Sequence, residues 1–171
     1  DGMYGYMDGN EVFLYEHGTR VKPTFTSKSL DRYSCDLGGY PYFMLKEIEE
    51  SPSVIQRLID NYYDGSTYLF DKKILKAIAE ADDVVFLACG TSYYASLLGV
   101  EYMRYLGKRS EAFIGSEWAY YPAVTSKKPL FILITQSGET ADLILCQKYI
   151  NGQGLTNIAI TNTKGSTIER K

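Results

Sequence analysis

Two short runs of uninterrupted apolar residues, 84–88 and 130–134, constrain the fold of this chain more than any other feature. Each run has the length of a strand and is followed by a turn rich in glycine and hydroxyl residues, then by a helical pattern. A strand that is apolar on both faces is typical of a parallel sheet covered by helices on both sides. Residues 112–114 and 157–161 predict two further strands. We therefore expect an α/β fold, a three-layer sandwich around a parallel sheet.

Helical patterns surround these strands. Residues 41–50 and 52–62 predict two separate helices, because Ser51 is a good N-cap and Pro52 suits a first helical turn. Asp71 predicts the N-cap of another short helix. Three more helical patterns end at residue 106, end at residue 150 and begin at residues 165–167.

The N-terminal part of the chain has a different character. Residues 11–15 and 20–25 predict the two strands of a β-hairpin within residues 1–26, joined by a turn at 16–19. Polar residues 27–40 predict a linker, so we expect the α/β domain to occupy residues 41–171. The chain stops soon after a predicted strand, and we expect it to be a piece of a larger protein.

Composition excludes several classes of protein. The chain has 171 residues and 18 basic against 21 acidic side chains, a net charge of −3 without a basic cluster, which argues against nucleic-acid binding. Both apolar runs are far shorter than the roughly 20 residues that span a bilayer, and no secretory signal is visible. Three separated cysteines (Cys35, Cys89 and Cys146) suit reduced thiols in the cytoplasm. With His17 as the only histidine and no CxxC pair, we expect no metal site and no cofactor.

The two turns that follow the apolar runs are the candidate binding site. Residues 89–92 (Cys-Gly-Thr-Ser) and 135–140 (Thr-Gln-Ser-Gly-Glu-Thr) each join a buried strand to a helix. Ligands of parallel sheets bind at such strand ends, and a helix N-terminus offers unpaired N–H groups to an anion. Neither turn contains Lys or Arg, so a phosphate there would rest on neutral donors. The alternative is that these residues are ordinary N-caps that bind nothing.

The residues around both turns resemble a known family. The segments Ala-Cys-Gly-Thr-Ser-Tyr-Tyr-Ala (88–95) and Ile-Thr-Gln-Ser-Gly-Glu-Thr-Ala-Asp (134–142) resemble the signature loops of sugar isomerase (SIS) domains. More narrowly, they are similar to the glutamine:fructose-6-phosphate aminotransferases, the glucosamine-6-phosphate synthases. Residues 44–48, 51–52 and 115–118 support this resemblance. It implies that residues 41–171 form a truncated first SIS domain with a flavodoxin-like sheet. Residues 1–26 resemble the last hairpin of the glutaminase domain.

The resemblance also assigns the site residues. It implies that the second turn holds the sugar phosphate, through Thr135, Gln136, Ser137 and Thr140. It also implies that the first turn contacts the sugar, through Gly90, Thr91 and Ser92. The family usually has Ser where this chain has Thr135, whose added methyl group we expect to crowd the phosphate without abolishing the site. Glu139 is expected to point away from the phosphate, capping a helix or pairing with a partner subunit.

The activity implied by the resemblance is the conversion of fructose 6-phosphate and glutamine into glucosamine 6-phosphate and glutamate. A carboxylate base moves a proton between C1 and C2 of the sugar in that reaction. The family's catalytic groups belong to a second SIS domain and to a glutaminase domain, so we expect no catalytic residue here and an inactive fragment. Glutamine would be used by the absent glutaminase domain, and the family implies a cytoplasmic homodimer.

Two alternatives remain at this point. SIS domains also serve as phosphosugar sensors in regulators, and related SIS enzymes act as isomerases or deglycases of fructosamine phosphates without a glutaminase domain. The hairpin predicted within residues 1–26 favours the aminotransferase over both.

Overall fold

The computed structural model describes residues 3–25, 36–124 and 126–170. The chain divides into two units, Asp1–Gln56 and Arg57–Lys171, and each is described by itself. Among the described residues, no helix is both long and apolar enough to cross a membrane.

The second unit is built on a four-stranded parallel sheet. Its strands are β4 (Asp83–Ala88), β5 (Arg109–Ile114), β6 (Pro129–Thr135) and β7 (Thr156–Thr161), in the order β5-β4-β6-β7. All six residues of β4 are buried, which confirms the burial predicted from the apolar run 84–88 and adds Asp83 to it. The predicted parallel sheet is therefore confirmed.

Helices cover both faces of this sheet. They are α2 (Lys72–Glu80), α3 (Thr91–Tyr105), α4 (Gly115–Trp118), α5 (Ala141–Gly152) and α6 (Thr167–Arg170). On one face, Phe131 and Leu133 of β6 pack in a cluster with Leu143 of α5. On the other face, Phe86 of β4 packs in a cluster with Val100 of α3. Because neighbouring residues of one strand point to opposite faces, the continuous apolar runs fill both clusters, and the three layers are confirmed.

Local signals in the sequence position the helix ends. The carboxylate of Asp71 accepts a hydrogen bond from the backbone N–H of Lys73 at 2.7 Å, which confirms the predicted N-cap of α2. Gly107 has a φ of +75°, a conformation that favours glycine, and it follows the C-cap of α3. The end of α5 was expected at residue 150, but the helix includes Asn151 and Gly152.

The first unit contains a three-stranded antiparallel sheet. Its strands are β1 (Met3–Asp8), β2 (Glu11–Glu16) and β3 (Thr19–Val21), in that order. The predicted hairpin corresponds to β2 and β3, with His17 and Gly18 at positive φ in its tight turn. The strand β1 was not predicted; Tyr6 of β1 stacks on Phe13 of β2 at a centroid distance of 4.8 Å. The predicted linker 27–40 lies largely outside the described residues.

The two helices predicted for residues 41–50 and 52–62 form one helix, α1 (Phe43–Tyr62), so the expected break at Ser51 and Pro52 is wrong. Proline removes one backbone donor but does not forbid a helix in which the remaining carbonyls find partners. The hydroxyls of Ser51 and Ser53 donate to the carbonyls of Glu47 and Glu50 at 3.0 and 2.8 Å. Both serine hydroxyls beside the proline are thus bonded to the backbone of the preceding helical turn.

Candidate functional site

The two hydroxyl-rich turns leave neighbouring strands at the same edge of the sheet. Strands β4 and β6 are adjacent and parallel, and Ala88 lies opposite Ile134 in their register. The residues that follow, 89–92 and 135–140, therefore lie side by side. We call residues 89–92 the first loop and residues 135–140, after the ligand that the resemblance implies for them, the phosphate loop.

The first loop is shaped by a glycine. Gly90 has φ +58° and ψ −134°, a region that residues with a side chain rarely adopt, and it is the N-cap of α3. No side chain caps this helix. Thr91 is exposed and Ser92 is half-buried. The loop therefore presents hydroxyls and the first N–H groups of a 15-residue helix at the sheet edge.

The phosphate loop is held in part by its own side chains. The hydroxyl oxygens of Thr135 and Thr140 lie 2.9 Å apart. The Oγ1 of Thr135 also accepts the N–H of Gly138 at 3.3 Å, and the Oγ of Ser137 accepts the N–H of Glu139 at 3.1 Å. Among the described residues, the backbone N–H groups of Ser137 and Thr140 donate a hydrogen bond neither to a backbone carbonyl nor to the side chains of this loop. The amides of Gly138 and Glu139 are thus used internally, and those of Ser137 and Thr140 remain available to a ligand.

A third segment contacts the phosphate loop, and sequence reasoning missed it. Residues 161–168, which we call the β7–α6 segment, run from the last residue of β7, the strand next to β6, into α6. The carbonyl oxygen of Gln136 accepts the N–H of Asn162 at 3.2 Å and the hydroxyl of Thr163 at 3.2 Å, and the hydroxyl of Thr161 lies at 3.5 Å. The hydroxyl-rich composition of this third strand end was the only signal that could have suggested its involvement.

Gly138 allows this segment to approach closely. Its φ is +66°, and a Cβ atom placed on it would lie 2.1 Å from the Oγ of Ser166 and 2.9 Å from the Oγ1 of Thr161. Ser166 is 2% exposed, and its Oγ has no hydrogen-bond partner among the described residues. Glycine is therefore required at position 138 for space as well as for backbone conformation.

Glu139 is directed to the β7–α6 segment. Its Oε1 accepts the backbone N–H of Thr167 at 2.7 Å, so that it caps α6 rather than the helix that follows its own loop. Hydrogen bonds from Thr167, with a smaller contribution from Arg170, lower the pKa of the Glu139 carboxyl. The carboxylate beside the phosphate loop is thus occupied by a structural contact.

The chemistry of this edge suits the binding of an anion. Of the residues in the two loops, none is a lysine or arginine, and the donors are hydroxyls and backbone N–H groups. Within the described ranges, no group of three or more His, Cys, Asp or Glu side chains could hold a metal ion. The seven predicted site residues lie on the two adjacent loops. Gly90, Thr91 and Ser92 belong to the first loop, and Thr135, Gln136, Ser137 and Thr140 belong to the phosphate loop beside it. Thr135 is the most enclosed of the hydroxyl residues among them, at 4% exposed.

Comparison with known proteins identifies similar chains. A family model described as "SIS domain" matches residues 77–171. Glutamine–fructose-6-phosphate aminotransferase [isomerizing] of Streptococcus pneumoniae is 40% identical over 166 residues, which are 96% of this chain and 27% of that protein. The protein of the same name from Geobacillus kaustophilus is 42% identical over 157 residues, or 91% of this chain and 26% of that protein. This chain therefore spans about a quarter of the length of these curated relatives.

Solved structures show the same likeness. The C-terminal domain of glucosamine-fructose-6-phosphate aminotransferase from Francisella tularensis superposes with a TM-score of 0.74 at 30% identity, covering 81% of this chain and 40% of that one. A sugar isomerase domain of an RpiR transcription factor from Sphaerobacter thermophilus has a TM-score of 0.60 at 16% identity, covering 75% of this chain and 70% of that one. The second likeness shows the fold alone.

Proposed function

The chain belongs to the SIS domain family, and from this premise we propose that it binds a phosphorylated sugar through the first loop and the phosphate loop. The observation that carries the proposal is the juxtaposition of the two loops at the carboxyl edge of adjacent parallel strands. Available N–H groups at Ser137 and Thr140 support it, because a phosphate needs donors and meets no lysine or arginine in these loops.

The two loops take different parts of the ligand in this proposal. The phosphate is surrounded by backbone N–H and hydroxyl donors of Gln136, Ser137 and Thr140. The hydroxyl of Thr135 holds the loop in place through its contacts with Thr140 and Gly138. Each hydrogen bond to a charged group contributes about 1.5–3 kcal/mol. Gly90, Thr91 and Ser92 contact the sugar, whose hydroxyls both donate and accept.

We further propose that the chain is part of the isomerase half of an aminotransferase that makes glucosamine 6-phosphate from fructose 6-phosphate and glutamine. The names of the relatives that are about 40% identical support this choice over a sensor or a deglycase. Residues 41–171 would be the first SIS domain and residues 1–26 the last hairpin of a glutaminase-type domain. The two loops offer binding groups and no general base, so the chain alone is expected to bind sugar phosphate without converting it, and the parent to act as a homodimer.

The proposal is tested by titrating the ¹⁵N-labelled 171-residue chain with fructose 6-phosphate and following its amide resonances. We expect the amides of Thr91, Ser137 and Thr140 to shift, and unphosphorylated fructose to leave Ser137 and Thr140 unchanged. Thr140→Val should weaken binding about 10-fold to 100-fold, the equivalent of one hydrogen bond to a charged group. Thr156→Val is the matched control, because Thr156 is exposed at the opposite end of a sheet strand.

Two results would contradict the proposal. One is that fructose 6-phosphate causes no shift in either loop at millimolar concentration. The other is that Thr140→Val and Thr156→Val bind fructose 6-phosphate equally well.

A further inference from the structure

The direction of one peptide group in the phosphate loop is set from outside the loop. In a trans peptide the C=O and the following N–H point in opposite directions, and the described residues contain no cis peptide bond. The carbonyl of Gln136 is held by the β7–α6 segment through Asn162 and Thr163. The N–H of Ser137, which belongs to the same peptide group, therefore points away from that segment.

The same segment also holds Gly138 and Glu139 of the loop. The carbonyl of Gly138 accepts the N–H of Ile168 at 3.1 Å, and the carboxylate of Glu139 accepts the N–H of Thr167. The absence of a side chain on Gly138 lets Ser166 lie against it. Three of the six residues of the phosphate loop, Gln136, Gly138 and Glu139, are thus fixed by groups about 25 to 30 positions later in the chain.

Among these contacts, the hydrogen bond from the Thr163 hydroxyl to the Gln136 carbonyl can be removed with the least change to the rest of the chain. A carbonyl oxygen has two lone pairs, and the donors of Asn162 and Thr163 are the two at 3.2 Å. Thr161 lies farther away and its oxygen also accepts the N–H of Thr163. Thr163 is exposed, so the loss of its hydroxyl changes a loop contact and not the packing of the core.

We propose that the β7–α6 segment positions the phosphate loop, with Thr163 as a positioning residue that aims the Ser137 N–H at the phosphate. The inference rests on the proposed function for its ligand, while the positioning itself is a property of the ligand-free chain. Donation to the Gln136 carbonyl also polarises its peptide group, which makes the Ser137 N–H a stronger donor. A loop that is already oriented loses less entropy when the ligand binds.

The test compares Thr163→Val, which removes the hydroxyl at nearly constant shape, with Thr163→Ser, which restores it, and with Thr156→Val as the control. The first measurement needs no ligand: residual dipolar coupling and hydrogen exchange of the Ser137 and Gly138 amides. Thr163→Val is expected to change the Ser137 coupling and to speed exchange of the Gly138 amide by roughly twofold to tenfold, the equivalent of one neutral hydrogen bond. Thr163→Ser and Thr156→Val should match the parent chain.

The second measurement is the dissociation constant for fructose 6-phosphate. Thr163→Val should raise it by roughly twofold to tenfold, and Thr163→Ser should restore it. Unchanged couplings and exchange in Thr163→Val would overturn the inference whether or not the parent chain binds the sugar. An altered loop with an unchanged dissociation constant would overturn it as well. Absence of binding by the parent chain would instead count against the proposed function, leaving the first measurement to decide the positioning role.

Discussion

Replacement of Gly138 by alanine should destabilise the folded chain more than the same replacement at a loop glycine that has open space around it. The new Cβ would lie 2.1 Å from the Oγ and 2.3 Å from the Cβ of Ser166. Ser166 is buried, so it has little room to move away. The backbone would also have to keep a φ of +66°, which alanine disfavours.

The magnitude follows from these two terms. A positive φ in a residue with a Cβ atom costs about 1–2 kcal/mol. Overpacking by one methyl group in an enclosed place costs about 1–3 kcal/mol more. Gly138→Ala should therefore lower the free energy of unfolding by about 2–5 kcal/mol. Gly154→Ala is the matched control, because Gly154 has a φ of +67° with nothing within 4 Å of the added atom, so only the first term applies.

The assay is urea denaturation followed by the fluorescence of Trp118. It is the single tryptophan of the chain, is 2% exposed and belongs to the same core cluster as Leu143 of α5, so its signal reports on the unit that contains the loop. Equal losses of stability in Gly138→Ala and Gly154→Ala would refute the steric reasoning. The same pair should differ in sugar binding, with fructose 6-phosphate binding lost in Gly138→Ala and kept in Gly154→Ala.

Two further predictions concern titratable groups. The pKa of Glu139 is lowered in the folded chain, so its stabilising contribution is complete above the ordinary value of 4.5 and is lost as the pH falls through the folded value. Melting temperatures measured between pH 7 and pH 3 should therefore fall less steeply for Glu139→Gln, and parallel curves would contradict this. Burial raises the pKa of the Cys146 thiol to about 12, and its Sγ donates to the carbonyl of Gly115, whereas Cys89 is partly exposed. Iodoacetamide at pH 8 should label Cys89 before Cys146, and peptide mass spectrometry showing the reverse order would contradict the burial argument.

The sheet could be predicted because its central strands are apolar without interruption, a pattern that indicates burial on both faces. The edge strand β5 was predicted only for residues 112–114, although it begins at Arg109. Its first three residues are polar: the guanidinium of Arg109 pairs with the buried carboxylate of Asp83 on the neighbouring strand at 2.7 Å, the hydroxyl of Ser110 donates to the carbonyl of Val100, and Glu111 is exposed. The start of a strand that begins with polar residues cannot be predicted from apolar runs alone.

The contacts that shape the site could not be predicted for a different reason. The turns themselves could be predicted from their composition, because glycine and hydroxyl residues between a strand and a helix favour a turn. The role of Thr163 depends on a carbonyl 27 positions earlier, and no local spacing relates the two. The sequence pattern predicted the strands but not their order in the sheet. The adjacency of β6 and β7 places the β7–α6 segment against the phosphate loop.

The pair of hydroxyls at positions 135 and 140 shows how the methyl group of Thr135 can be accommodated in the proposed site. Two hydroxyl oxygens 2.9 Å apart share one hydrogen bond and carry two protons, so one proton remains for another acceptor. Thr135 is 4% exposed and its oxygen already accepts the N–H of Gly138, whereas Thr140 is only half-buried. Since a phosphate oxygen can only accept, the arrangement that serves binding has Thr135 donating to Thr140, and Thr140 donating to the phosphate. The methyl group of Thr135 then belongs to an enclosed side chain and need not crowd the ligand, and Thr135 acts through Thr140.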